Sequence, residues 1–212
     1  MEIRQLLTPY NYTKPNKIKQ NKFIVVHYTA NNGDTAKGNC KYFAKELPDS
    51  RKASAHYFVD EKEIWQCVDD SNIAWHIGGA KVYYNHARND NSIGVELCSR
   101  KSSESYYFKN ETIRNAQKLI AYLMTKYNIK TENLVRHYDC TRKICPAPFV
   151  TNTNAWIQFV NELKWVDSII DLKIAGRLDE AEEWVLKQFE EDEKLKYIFM
   201  KWADDVDKKP KE

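Results

Sequence analysis

The sequence predicts an α/β fold with a mixed sheet, followed by a small helical C-terminal module. Three observations carry that expectation. Short β-branched apolar runs recur at KFIVVHY (22–28), SIGVELCS (92–99) and LVRHY (134–138), the pattern of strands in a buried sheet. Residues 111–127 carry Ile113, Ala116, Ile120, Leu123, Met124 and Tyr127 at the spacing of one helical face. Beyond residue 165 strand signals cease, while SIIDLKIAGRLDEAEEWVLKQF and EKLKYIFMKWADDV read as short amphipathic helices.

Taken in order, KFIVVHY is a strand that ends at His27. Residues 35–47 read as a helix stopped before Pro48, because the residue ahead of a proline is pushed out of helical geometry. AHYFVD and EIWQCV flank a tight EKE turn and predict a hairpin around residues 55–68. In SIGVELCS, alternation puts Ile93, Val95 and Leu97 on one face and Ser92, Gly94, Glu96 and Cys98 on the other. LVRHY is a short strand, with HYDCT its end and a turn. Thr151 or Asn152 is suited to cap a helix running through Trp156, Phe159, Val160 and Leu163. The first C-terminal helix groups Ala181, Trp184, Val185 and Phe189 on one face. The resulting division is a first domain over residues 1–165 and a helical module over 166–212, with a frayed tail DDVDKKPKE.

Composition narrows the class. With 212 residues, 42% hydrophobic and 13% aromatic, the chain can bury a substantial core and is not disordered. No apolar run approaches the roughly 20 residues needed to span a bilayer. The opening MEIRQLLTPYNYTKPNKIKQ has no apolar h-region, so the expectation is synthesis in the cytoplasm without a secretory signal. Five scattered cysteines, an odd number, do not form a disulfide framework. Residues 165–212 hold 9 Lys+Arg against 14 Asp+Glu, leaving 24 against 16 in the first 164. That basic front is too mild to specify nucleic acid or any other polyanion.

The candidate chemistry centres on RHYDCTRKICPAPF (136–149). Zinc takes imidazole and thiolate ligands tetrahedrally, and a catalytic site leaves one position for water. His27, His137 and Cys145 can supply three such ligands, yet spacing alone also allows a thiolate nucleophile at Cys145 or a plain turn. Cys140 is a weaker candidate, and Cys40, Cys67 and Cys98 fall in apolar patterns as small core residues. Glu96 is a carboxylate in a central strand, either a general base or a buried partner of a basic or tyrosine side chain. Lys143 is a surface lysine or, two residues before Cys145, a group that holds an oxyanion. AWHIGG (74–79) reads as a loop lining a cleft or as a turn around a packed Trp75, and His86 as surface.

The segments FIVVHYTAN, SAHYFVDEKEIWQCV, NIAWHIGG, NSIGVELCS and VRHYDCTRKICPAPF together resemble, in family order over about residues 20–150, the zinc-dependent N-acetylmuramoyl-L-alanine amidases of the type 2 family, which includes phage lysozyme-amidases and is related to peptidoglycan recognition proteins. The resemblance implies a mixed sheet flanked by helices, with one Zn2+ per chain at a shallow groove. It implies His27, His137 and Cys145 as metal ligands, Glu96 as the group that activates water and Lys143 as the oxyanion partner. Tyr57 and His76 would line the substrate cleft. Where some relatives carry a catalytic tyrosine before the position of His56, this chain has Ala55. The implied reaction is hydrolysis of the amide between N-acetylmuramic acid and the L-alanine of the stem peptide in bacterial peptidoglycan, as in a phage endolysin of a Gram-positive host released to the wall, with no nucleic acid and no membrane insertion. A non-catalytic peptidoglycan-binding module and a cysteine peptidase using Cys145 are the alternatives.

Overall fold

The computed structural model describes residues 1–48, 52–78, 82–103 and 105–190. The predicted helix EKLKYIFMKWADDV and the tail lie outside these residues. Along the chain run β1 (Ile3–Gln5), β2 (Tyr12–Thr13), β3 (Phe23–Tyr28), α1 (Ala36–Phe43), β4 (Tyr57–Val59), β5 (Ile64–Gln66), β6 (Ile73–Ala74), β7 (Ser92–Leu97), β8 (Arg100–Ser102), β9 (Ser105–Tyr107), α2 (Asn110–Tyr127), β10 (Leu134–Arg136), α3 (His137–Thr141), α4 (Ala147–Thr151), α5 (Thr153–Asn161), α6 (Trp165–Ile174) and α7 (Ala181–Glu190).

The central sheet has the order β1-β5-β4-β7-β3-β10. Only β4 and β5 pair antiparallel; the other neighbours are parallel, so the sheet is mixed and flanked by helices. Two small antiparallel pairs, β2 with β6 and β8 with β9, sit apart from it. The expected hairpin is β4–β5. Its turn is fixed by Asp60, whose Oδ1 accepts from Lys62 N and Glu63 N at 2.7 and 2.8 Å, while Oδ2 caps Ala36 N at the start of α1.

Period-2 alternation divides the sheet's work between its faces. One face buries Ile24, Val26, Tyr57, Val59, Ile93, Val95 and Leu97 against Ala116, Leu119, Ile120, Leu123 and Met124 of α2. Helix α2 ends at Asn128, which takes the left-handed conformation (φ 55°) that asparagine tolerates at a helix terminus. On the other face Phe58 packs with Ala36 and Cys40 of α1 and with Cys67 and Cys98, and Val25 packs with Ile77, Ala87 and Cys140. All five cysteines are free and buried.

Differences from the sequence reading concern ends and short pieces. Helix α1 stops at Phe43 rather than 47, and β10 stops at Arg136, so that His137 opens a short helix instead of finishing a strand. Of the two candidate caps for α5, Asn152 is the one used, its Oδ1 accepting from Ala155 N at 3.1 Å. Helices α6 and α7 pack on the α2 side: Trp165, Val166, Ile169, Ile170, Ala181 and Val185 belong to the same buried cluster as the sheet. The 165/166 boundary therefore falls inside a packed interface. A chain ended at Lys164 is expected to unfold at lower denaturant concentration, because α2 then exposes apolar surface. In the full chain, Ile170→Ala should cost about 2–5 kcal/mol in equilibrium denaturation; an unchanged midpoint in both would separate these helices from the core.

Candidate metal centre

Three adjacent parallel strands bring the reactive side chains to one sheet end. His27 sits one residue from the end of β3 and pairs in register with Glu96, one residue from the end of β7. Arg136 of β10 pairs with Val26, so the next residue, His137, arrives level with His27. Alternation turns His27 and Glu96 away from the α2 core. This is the carboxyl edge of the strands, where open α/β sheets gather their sites.

Cys145 reaches the same point through a loop that folds back on α3. Arg142 (φ 66°) ends that helix with its N–H on Tyr138 O at 2.9 Å, and Tyr138 N–H in turn bonds Cys145 O at 2.8 Å. Arg136 fastens the loop from below, with Nη2 and Nε on Asp139 at 2.8 and 3.0 Å and Nη1 on Phe149 O at 2.9 Å.

The donor atoms of His27, His137 and Cys145 all lie within 4.8 Å of one another, and all three residues are buried. Cys145 Sγ is 3.7 Å from His27 Nδ1. Both ring nitrogens of His137, and Oε2 of Glu96, are shut off from solvent with no hydrogen-bond partner among the described residues. Buried polar atoms left in this state each cost about 1–3 kcal/mol, unless something external satisfies them. Two imidazoles and a thiol converging on one point, one of the imidazoles with neither nitrogen engaged, fit a divalent transition metal.

The electrostatics agree. Burial pulls His27 well below its ordinary value, with His137, His76 and Lys143 adding to the effect. Burial, then Lys143, lowers His137 to about 4. Both rings are therefore neutral and able to coordinate. Burial pushes the Cys145 thiol up to about 12, with Glu96 adding to the rise and the backbone of Tyr28 and Lys143 opposing it; a bound cation reverses such a shift by deprotonating the thiol. Burial raises Glu96 to about 8, Lys143 pulling it down and Asp34 pushing it up. Lys143 itself is exposed, and its charge is felt at His27, His137, Cys145 and Glu96.

Two sequence-predicted residues do not line this site. Tyr57 faces the α2 core at 2% exposure and donates its hydroxyl to Asp70 at 2.8 Å, since its register partner is Val95, not Glu96. His76 lies behind His27, with its Nδ1 3.0 Å from His27 Nε2. His56 is further back, its Nδ1 accepting from Gly94 N at 3.0 Å and its Nε2 beside Lys19 Nζ at 2.9 Å. Cys140 is outside the cluster, packed near Arg136 O and Asn85. The sequence reading missed Tyr28 and Tyr106, whose rings meet edge to face at 5.4 Å; burial and then Cys145 raise the Tyr28 hydroxyl. The position of Tyr28, directly after His27, was the available signal.

A family model described as N-acetylmuramoyl-L-alanine amidase matches residues 16–148. The chain is 36% identical over 182 residues to N-acetylmuramoyl-L-alanine amidase CwlL of Bacillus licheniformis, a match covering 82% of this chain and 49% of that protein. It spans about half the length of the curated relatives it matches first. Among solved structures, PlyL is similar at a TM-score of 0.63 and 30% identity, over 77% of this chain and 98% of that one. A mutant endolysin from Bacillus subtilis gives 0.60 and 31%, over 76% and 98%.

Removing a donor should empty the cluster. His137→Ala and Cys145→Ser are expected to lower the metal content of purified protein, measured by elemental analysis, because a two-donor remnant binds poorly and a hydroxyl is a weaker ligand than a thiolate. Full metal retention by both would dismiss the cluster as the binding site.

Proposed function

The chain belongs to the N-acetylmuramoyl-L-alanine amidase family, and from that premise we propose that it hydrolyses the amide joining the lactyl group of N-acetylmuramic acid to L-alanine of the peptidoglycan stem peptide, using one zinc ion held by His27, His137 and Cys145. The observation that carries the proposal is the convergence of His27, His137 and Cys145 at the carboxyl ends of β3 and β10, with both ring nitrogens of His137 and Oε2 of Glu96, one strand away, buried without a partner among the described residues.

Zinc in that position supplies Lewis acidity to the scissile carbonyl and makes water a nucleophile near neutral pH. Glu96 takes the proton of the attacking water and returns it to the leaving nitrogen. Burial raises the Glu96 carboxyl while a neighbouring cation would favour its ionised form, so the same group can take a proton and give it back. Lys143, exposed beside the cluster, faces the oxyanion that develops on the carbonyl. Tyr57 has no role in substrate binding here, being sealed in the core. The substrate is the polymer of the bacterial wall, and similarity to an endolysin structure supports lysis of that wall as the outcome. Among the described residues no helix is long and apolar enough to cross a membrane.

A metal-free cysteine peptidase is disfavoured by the Cys145 thiol itself. Burial raises that thiol, which disfavours the thiolate a nucleophilic cysteine needs. A binding module without catalysis has no use for the unpaired Glu96 carboxylate. Wall lysis lost on chelation and restored by zinc separates these readings from the amidase.

Within the amidase, Glu96→Gln should leave zinc bound while kcat on a soluble muropeptide falls by about 10²–10⁴-fold. Lys143→Ala should also slow turnover with zinc retained. Near wild-type turnover in Glu96→Gln would remove Glu96 from the mechanism.

A further inference from the structure

Behind His27 a chain of hydrogen bonds runs away from the metal cluster: His27 Nε2 to His76 Nδ1 at 3.0 Å, His76 Nε2 to Ser92 Oγ at 3.2 Å, and Ser92 Oγ to Arg88 O at 2.5 Å. Its last link fixes the direction of every other. Arg88 O is a carbonyl and can only accept, so the single hydroxyl proton of Ser92 is committed to it. Ser92 Oγ is then left as an acceptor toward His76. His76 must therefore carry its one proton on Nε2, which leaves Nδ1 as a lone pair. That lone pair accepts from His27 Nε2–H. His27 in turn holds a bare Nδ1, the atom 3.7 Å from Cys145 Sγ.

We propose that His76 is a positioning residue of the metal centre: through the Arg88–Ser92–His76 chain it locks His27 in the Nε2–H tautomer and aims the Nδ1 lone pair at the zinc. This rests on the zinc-amidase reading and assigns His76 a place behind the metal instead of in the substrate cleft.

The surroundings are built to hold that ring still. The loop carrying it is pinned by Asn89, whose Oδ1 accepts from His76 N and Ile77 N at 3.2 and 2.7 Å. Trp75 N and O bond Ser54 Oγ and N at 2.9 and 3.0 Å. Gly94 of β7 lies under the imidazole, and a Cβ there would come within 2.6 Å of its Cγ. Any side chain at Gly94 would thus displace His76, which accounts for a glycine in the middle of a buried central strand. Ser92, at 0% exposure, presents a hydroxyl where an apolar residue would serve packing equally well. A partner of this kind behind a metal-bound histidine is worth about 10–100-fold in metal affinity.

The test uses the zinc-loaded full chain and two substitutions. Isotope-edited NMR of the imidazole nitrogens should find His76 in the Nε2–H tautomer; the Nδ1–H tautomer cannot accept from His27 and would overturn the proposal whatever the variants do. His76→Leu removes the acceptor and should weaken zinc binding by about 10–100-fold in chelator competition. His76→Asn places a carbonyl oxygen near the position of Nδ1 and should restore most of that loss. Equal affinity in His76→Leu and wild type, or equal loss in Leu and Asn, would reduce His76 to a packing residue. If the wild-type chain binds no zinc, the amidase reading fails and this inference with it, a failure distinct from that of a wild type that binds zinc with an affinity indifferent to His76→Leu.

Discussion

The in-register parallel pairing of β7, β3 and β10 is the constraint on which the site depends. It sets Glu96 opposite His27 and brings His137, one residue beyond β10, to the same level. In a strand with period two, a slip of one residue exchanges the faces. Moved by one, β7 would bury Glu96 against α2 and turn Val95 or Leu97 toward the histidines. The apolar residues between the polar ones oppose that slip. Ile24, Val26, Ile93, Val95 and Leu97 are each at 0% exposure, and turning them out would forfeit about 1.5–3 kcal/mol apiece. The hydrophobic face thus holds the register that the polar face uses.

That polar face is costly by itself. Neutral imidazoles, a protonated thiol and a carboxyl raised to about 8 all record the same desolvation. Of the five buried side-chain atoms without a partner among the described residues, three belong to Glu96 and His137. A cation would engage those lone pairs and favour the ionised forms of Cys145 and Glu96. Desolvation of these groups is the cost of gathering them at the sheet end, and the apolar α2 side of the sheet offsets it. Helices α6 and α7 extend that apolar side, and among the described residues they bring no side chain to the cluster.

Much of this was legible in the sequence where local pattern and tertiary demand coincide. The alternation of SIGVELCS assigned its faces correctly, the 3.6-residue spacing gave α2, and the EKE turn gave the β4–β5 hairpin. Less legible was whatever depended on partners distant in sequence. β1, β2 and β6 are short strands recruited by pairing, with little apolar pattern of their own. Tyr57 follows a histidine and precedes an apolar pair, so its face could not be assigned until its pairing with Val95 was known. For His76 the motif announced a polar loop, while its contact with His27 comes from residues 49 apart. Helices α6 and α7 carried their own amphipathic signal; what they covered was hidden in α2.

The eight-residue separation of His137 and Cys145 shows how a short stretch of chain becomes a fixed pair of candidate donors. Free, a loop of this length would sample many separations, and ordering each residue costs about 1–2 kcal/mol of backbone entropy. Here α3 consumes five of the residues in helical geometry, and Arg142 turns the chain in the left-handed conformation at its end. The bond from Tyr138 N–H to Cys145 O then closes the return beside His137 itself. Arg136, which ends β10, bonds both Asp139 within the loop and Phe149 O beyond it, so the sheet, the helix and the stretch after the prolines share one anchor. Lys143 lies between His137 and Cys145 on the same strap, its backbone carbonyl accepting from Cys145 N at 2.7 Å. In the proposed reading a single folded loop would therefore deliver two of the metal donors and Lys143 together, while the sheet delivers His27 and Glu96. The geometry of the candidate site reduces to the docking of one loop on one pair of strands.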